Sequence, residues 1–155
     1  MKATRAMEML EKAKVPYQLL NYESDGFTPA TEAAAKLAIP PELMFKTLIV
    51  RGERRGVVLA LIPGNGTLSL RKLAQQMGDK RAEMVDASEI TRLTGYVKGG
   101  VSPLGGKRAY PVFLERTSLG QQYIAVSAGV RGLALRLAPA DLARATNATL
   151  ADLLE

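Results

Sequence analysis

The sequence predicts a single α+β domain over residues 1–155, a mixed β-sheet curled towards a partial barrel with helices on its flanks. Three observations predict it. Helical and extended patterns intermingle along the chain without a strict strand–helix–strand alternation. Continuous apolar, β-branched runs at 45–50 and 56–62 read as strands covered on both faces, in the middle of a sheet. Three further strands follow at close spacing, over 109–115, 122–127 and 133–137. No linker, repeat or low-complexity segment divides the chain. With 155 residues, 47% of them hydrophobic and 23% charged, it can bury about two-thirds of its unfolded surface.

Residues 3–14 form an amphipathic pattern, with Ala6, Met9, Leu10 and Ala13 on one side and Arg5, Glu8 and Lys12 on the other; Pro16 ends it. A short strand at 17–22 leads into the polar loop 23–26. Thr28 and Pro29 predict a helix start, with a hydroxyl at the N-cap and proline at the first helical position, for a helix at 30–38. The charged turn 51–55 joins the two central strands, and Pro63-Gly64-Asn65-Gly66 is a second turn. Ser69 caps a helix whose Leu70, Leu73, Ala74 and Met77 recur at helical spacing until Gly78. A strand at 82–85 is followed by Asp86 to Glu89, a capping-box pattern for a helix to Leu93 that Gly95 closes. Pro139 opens the last helix, through Arg144.

Composition narrows the chemistry. There is no cysteine, hence no disulfide, thiolate nucleophile or cysteine metal site. Histidine is absent too, which removes the usual general base, the commonest metal ligand and every Ser-His-Asp scheme. The acidic residues show no EF-hand spacing, so neither a metal nor another cofactor is expected. Chemistry has to run on Lys, Asp, Glu, Tyr, Ser, Thr, backbone groups or the substrate itself. The net charge of +6 favours an anionic partner, nucleic acid or a phosphorylated ligand, although a basic surface also serves solubility. No apolar run reaches the ~20 residues of a membrane span, and the N-terminus has no signal-peptide core, so the cytoplasm is the default address.

One stretch stands apart. Residues 95–108 carry Gly95, Gly99, Gly100, Gly105 and Gly106, with cations at Lys98, Lys107 and Arg108. Glycine at this density suits neither helix nor strand. Two readings stand side by side: a bare-backbone loop offering N–H and C=O groups to an anionic or polar ligand, or a tight connection between strands. It is neither a Walker loop nor a dinucleotide-binding fingerprint. A second compact turn lies at 127–132.

Four pieces in register, Phe45-Lys46-Thr47-Leu48, Leu93-Thr94-Gly95-Tyr96 with Gly99 to Gly105, Val126-Ser127-Ala128-Gly129, and Arg131-Gly132-Leu133, give the chain a resemblance to a known family. From about Val15 to Leu142 it resembles the YbaK/EbsC family, aminoacyl-tRNA deacylases related to the editing domain of bacterial prolyl-tRNA synthetase. The resemblance implies a partial barrel with flanking helices, and a free-standing enzyme that clears a mischarged small amino acid, above all cysteine, from tRNA(Pro). Its partners would be the acceptor end of that tRNA and prolyl-tRNA synthetase or another synthetase. A non-catalytic tRNA- or synthetase-binding module of the same fold is the alternative.

The resemblance also implies a site. Lys46 matches the family's active-site lysine and would hold the terminal adenosine or act as an acid for the leaving ribose oxygen; a lysine at the exposed end of its strand would merely snorkel. Gly100, Val101 and Ser102 would put backbone groups beside the ester for oxyanion stabilisation, Gly99 and Pro103 would contact the substrate, and Gly100 and Ser127 join Lys46 as the expected catalytic positions. Ser127, Ala128 and Gly129 would form the opposite wall near the α-amino group, with Ser127 a strand-end hydroxyl rather than a nucleophile, since no base could activate it. Tyr22, Thr47 and Arg131 complete the expected substrate contacts. Arg51, Arg54, Arg55, Lys98, Lys107, Arg108 and Arg131 are candidate phosphate contacts. Ser24 stands where relatives of the cysteine-specific type carry histidine, and Ala128 and Gly106 replace glycine and glutamine; these departures bear on which amino acid is removed.

Overall fold

The computed structural model describes residues 2–155. Its elements run α1 (Arg5–Lys12), β1 (Gln18–Asn21), α2 (Ala30–Leu37), β2 (Phe45–Gly52), β3 (Gly56–Pro63), α3 (Leu70–Met77), β4 (Ala82–Met84), α4 (Ile90–Thr94), β5 (Val112–Glu115), β6 (Ile124–Ser127), β7 (Leu133–Leu137), α5 (Pro139–Thr146) and β8 (Thr149–Ala151). Local rules account for most boundaries. The Thr4 hydroxyl caps α1 by accepting from the Met7 N–H, and Ser69 caps α3 through the Lys72 N–H. Gly78 and Gly95, both left-handed, end α3 and α4.

The strands form two sheets. β1, β7 and β6 make a small antiparallel sheet in the order β1-β7-β6. The larger sheet has the order β4-β2-β3-β5-β8, antiparallel from β4 to β3 and parallel from β3 to β8. A parallel bridge between Met44 and Ala125 joins them, and beyond it β2 and β6 part. The result is the mixed, partial barrel; the sheets do not close on themselves.

The main core lies between the sheets, where Ile49, Leu59, Leu61 and Leu114 meet Ile124, Val126 and Leu135, sealed by Leu10 of α1 and Leu142 of α5. Full burial of each such leucine stabilises the fold by about 1.5–3 kcal/mol. The other face of the large sheet packs Val50, Val58, Ala60 and Ile62 under Leu73 and Met77 of α3. β3 is therefore covered on both faces, as its continuous apolar run predicts. Ala33 and Ala34 of α2 cover the outer face of the small sheet, against Ala125 and Ala134.

Three local expectations are corrected. Thr28 does not cap α2: Pro29 is the N-cap, without a side-chain bond, and the Thr28 hydroxyl lies 2.8 Å from that of Ser24. The strand expected at 109–115 begins at Val112. The chain does not finish with α5, because β8 adds a parallel edge strand to β5 and the last residues are tied down beyond it. Leu153 N–H donates to the buried Glu115 carboxylate at 2.8 Å, and Ser69 N–H donates to Leu153 C=O at 2.7 Å.

Candidate active site

A cavity of about 350 Å³ occupies the gap where β2 and β6 part. Phe45 to Ile49 of β2 form one wall, Ser127 and Tyr22 the wall of the small sheet, and the start of α2 at Pro29 and Ala30 a third side. Among the predicted residues it brings together Lys46, Thr47, Ser127, Tyr22, Gly99 and Val101. No Asp or Glu lines it.

Lys46 is half-buried, and its Nζ donates to the Gly64 carbonyl at 3.2 Å. No carboxylate pairs with it among the described residues, and burial lowers its pKa from the ordinary lysine value of 10.5. The turn at Gly64 accounts for that carbonyl's position. Gly64 N–H donates to Met44 C=O at 2.7 Å, and a Cβ there would stand 2.7 Å from that oxygen and 2.8 Å from Ala30 Cβ. Only glycine lets the turn press into this corner. Tyr22 is half-buried, and desolvation raises its phenol pKa, so it stays a neutral hydroxyl. The Ser127 hydroxyl accepts from Gly129 N–H at 3.2 Å, closing its own turn while facing the cavity.

The mouth is basic and aromatic. Phe27 is 53% exposed, with the Lys98 ammonium 5.1 Å from its ring centroid. Arg131 Nε donates to Lys98 C=O at 2.8 Å, so Arg131 braces the rim and does not line the cavity. Gly99 (φ +86°) threads between them, since a Cβ would lie 2.9 Å from Phe27 and 3.3 Å from Arg131 Nε.

The other predicted residues lie elsewhere. Ser102 and Pro103 line a second cavity of about 260 Å³, with Met9, Tyr110 and Thr146. Ser102 is buried and its Oγ accepts from Leu104 N–H. Gly100 packs against the Val130–Arg131 backbone, Ala128 is fully buried, and Gly129 (φ +106°) lies against the Tyr96 ring. They back the wall without facing the cavity. The glycine-rich loop is thus mostly folded inwards around Tyr96, whose hydroxyl donates to Leu104 C=O at 2.6 Å. It opens to the cavity only around Lys98, Gly99 and Val101. Sequence reasoning missed Phe27, Gly64, Val85 and Ile90; an aromatic in the polar loop before α2 was the one available signal.

An α+β domain with an unpaired, half-buried lysine between parted sheets defines a class that comparison with known proteins makes specific. The aminoacyl-tRNA editing domain family matches residues 23–145. A protein of Enterococcus faecalis, EbsC, named as a candidate Cys-tRNA(Pro)/Cys-tRNA(Cys) deacylase, is 39% identical over 151 residues, covering 97% of this chain and 92% of its own. The proline–tRNA ligase of Thermosipho africanus is 31% identical over 108 residues, 61% of this chain but 19% of the ligase. A solved structure described as a candidate trans-editing enzyme for prolyl tRNA synthetase superposes with a TM-score of 0.85 at 28% identity, covering 97% of this chain and 95% of that one. The chain belongs to the aminoacyl-tRNA editing domain family.

Proposed function

We propose that this protein is a deacylase that hydrolyses the ester of a mischarged small amino acid on tRNA(Pro), cysteine first. The observation that carries the reading is the Lys46 ammonium, unpaired by any carboxylate among the described residues, in a cavity that they line without an Asp or Glu. Such a cation suits the ribose and phosphate oxygens of a terminal adenosine. The exposed Phe27, with Lys98 beside it, suits the adenine ring and the phosphate next to it. The family match and the names of the relatives support the same substrate class.

The reaction then rests on position rather than on a protein nucleophile. In hydrolysis a water oxygen bonds to the acyl carbon, the bond to the ribose oxygen breaks, and that oxygen takes up the proton the water gives up. With cysteine the substrate's own thiol can attack the same carbon, passing its proton to the ribose oxygen and leaving as a thiolactone that water opens. Lys46 holds the leaving oxygen and stabilises its developing charge. At about 350 Å³ the cavity lies at the small end of the ligand-site range of about 300–1,000 Å³. Fit alone separates residues differing by a methylene only about 10- to 200-fold.

Release of label from Cys-, Ala- and Ser-tRNA(Pro) tests the reading. Turnover of Cys-tRNA(Pro) in excess of the two others is the expected result. Binding of all three without hydrolysis contradicts it and leaves a tRNA-binding module.

A further inference from the structure

Phe45, Lys46, Thr47, Leu48 and Ile49 line the cavity in unbroken succession. Side chains alternate across a strand, so a cavity on one face of β2 would be lined by every second residue. Consecutive lining means that β2 presents its edge. The pairing agrees. β3 accompanies β2 along its whole length, whereas β4 pairs only with Val50 to Gly52. Val85 N–H donates to Ile49 C=O at 3.1 Å and closes the upper end of the gap; the Met44–Ala125 bridge closes the lower.

The phase of the ladder settles which groups are left over. Gly64 N–H bonds Met44 C=O, and Ile49 C=O turns away to Val85, so even-numbered residues of β2 exchange bonds with β3 and odd-numbered ones face outwards. Thr47 sits opposite Leu61 in the non-bonded register, between the two closures. Its N–H and C=O point into the gap, and among the described residues no strand pairs with Thr47 on that side.

A free donor and a free acceptor on one strand residue are the pattern that one residue of an antiparallel neighbour satisfies. An aminoacyl ester carries the complementary pair, an ammonium and an ester carbonyl on either side of one Cα. Resting on the deacylase reading above, we propose that the aminoacyl group docks on Thr47 as a one-residue β-strand. Its ammonium donates to Thr47 C=O, and its ester carbonyl accepts from Thr47 N–H. This register demands a free α-amino group. It also fixes the hand of Cα, since the mirror isomer sends its side chain to the opposite face. As water or the substrate's thiol adds to the acyl carbon, Thr47 N–H stays on the carbonyl oxygen while charge builds there, so the oxyanion donor is β2 rather than the glycine-rich loop.

Proline separates this from a role for the Thr47 side chain. At Thr47 it deletes an N–H that serves no neighbouring strand among the described residues, at an open edge where proline is tolerated. At Leu48 it deletes an N–H that pairs with Ala60 and breaks the sheet. The expected results are three. Thr47→Pro keeps a cooperative melt within a few degrees of Thr47→Ala, while Leu48→Pro does not. Thr47→Pro cleaves Cys-tRNA(Pro) at least about tenfold more slowly than Thr47→Ala. The wild type cleaves the α-hydroxy counterpart, mercaptolactyl-tRNA(Pro), at least about tenfold more slowly than Cys-tRNA(Pro), after subtraction of the uncatalysed rates. The docking register is overturned by Thr47→Pro unfolding as Leu48→Pro does, by Thr47→Pro matching Thr47→Ala in rate, or by equal cleavage of the two esters. A wild type that leaves every ester intact overturns the deacylase reading itself, and the register falls with it.

Discussion

Lys46 holds its charge where little balances it. Its folded pKa lies below its unfolded value, so between the two the unfolded chain binds more protons and stability rises with pH. The cost of burying the ammonium is present below the folded pKa and is relieved as pH rises from there to the unfolded value. Activity should run the other way. If the cation binds the adenosine, the rate above background falls on an alkaline limb that begins below pH 10.5, and Lys46→Arg moves that limb upwards. A pH–rate profile of both proteins checks this. At the next position of interest, Tyr96 ties its own loop to Leu104 from a buried site. Tyr96→Phe should lower stability by about 1 kcal/mol in a denaturant titration. At Lys46 the strand pattern alone left a snorkelling lysine and a site lysine side by side, and only the family resemblance singled it out. The sides taken by Ser102 and Pro103 were not legible, since spacing along a glycine-rich loop does not say which way each residue turns.

Among the elements, the β2–β3 turn shows how charge holds a sharp bend. One Asp79 oxygen accepts from Arg54 and Arg55 N–H at 2.9 and 2.8 Å, the other from Lys80 N–H at 2.8 Å, which pins the turn to the end of α3. The Arg55 and Arg54 amides hold the Asp79 carboxyl below the usual carboxylate range, so its stabilising contribution is present at neutral pH and is lost as pH falls through its folded pKa. Asp79→Asn should melt lower than the wild type at pH 7, with the gap narrowing in acid. The C-terminal segment depends on Glu115, a buried carboxylate that accepts from Thr117 and Leu153 N–H at 2.9 and 2.8 Å. Glu115→Ala strands both donors and should cost about 2–4 kcal/mol in denaturant titration. Amphipathic helices and apolar strands were readable because their periods repeat several times. β8 was not, because three residues, Thr-Leu-Ala, carry no period and become a strand only beside β5. Thr28 misled for a similar reason: its hydroxyl had a neighbour, Ser24, that local capping rules do not see.

At the scale of the molecule, what positions the cavity is the parting of two sheets that share one bridge. The class of fold could be read from intermingled patterns, but the split into three and five strands could not, because which strands pair is decided by long-range burial. The net charge of +6 bears on the approach of a tRNA rather than on the chemistry. If about three phosphates are contacted, tRNA affinity should weaken about 40-fold between 50 and 200 mM salt, while the rate for bound substrate stays unchanged.

If the ester is cleaved in the Lys46 cavity, as proposed above, the rate depends on the Lys46 ammonium. Single-turnover deacylation of Cys-tRNA(Pro) by the wild type and by Lys46→Ala, at saturating protein, tests it most directly. The expected rate is at least about a hundredfold lower in Lys46→Ala, at the scale expected for losing one charge-stabilising contact, with a cooperative melt retained. Equal rates in the two proteins would contradict it and place the chemistry away from this cavity.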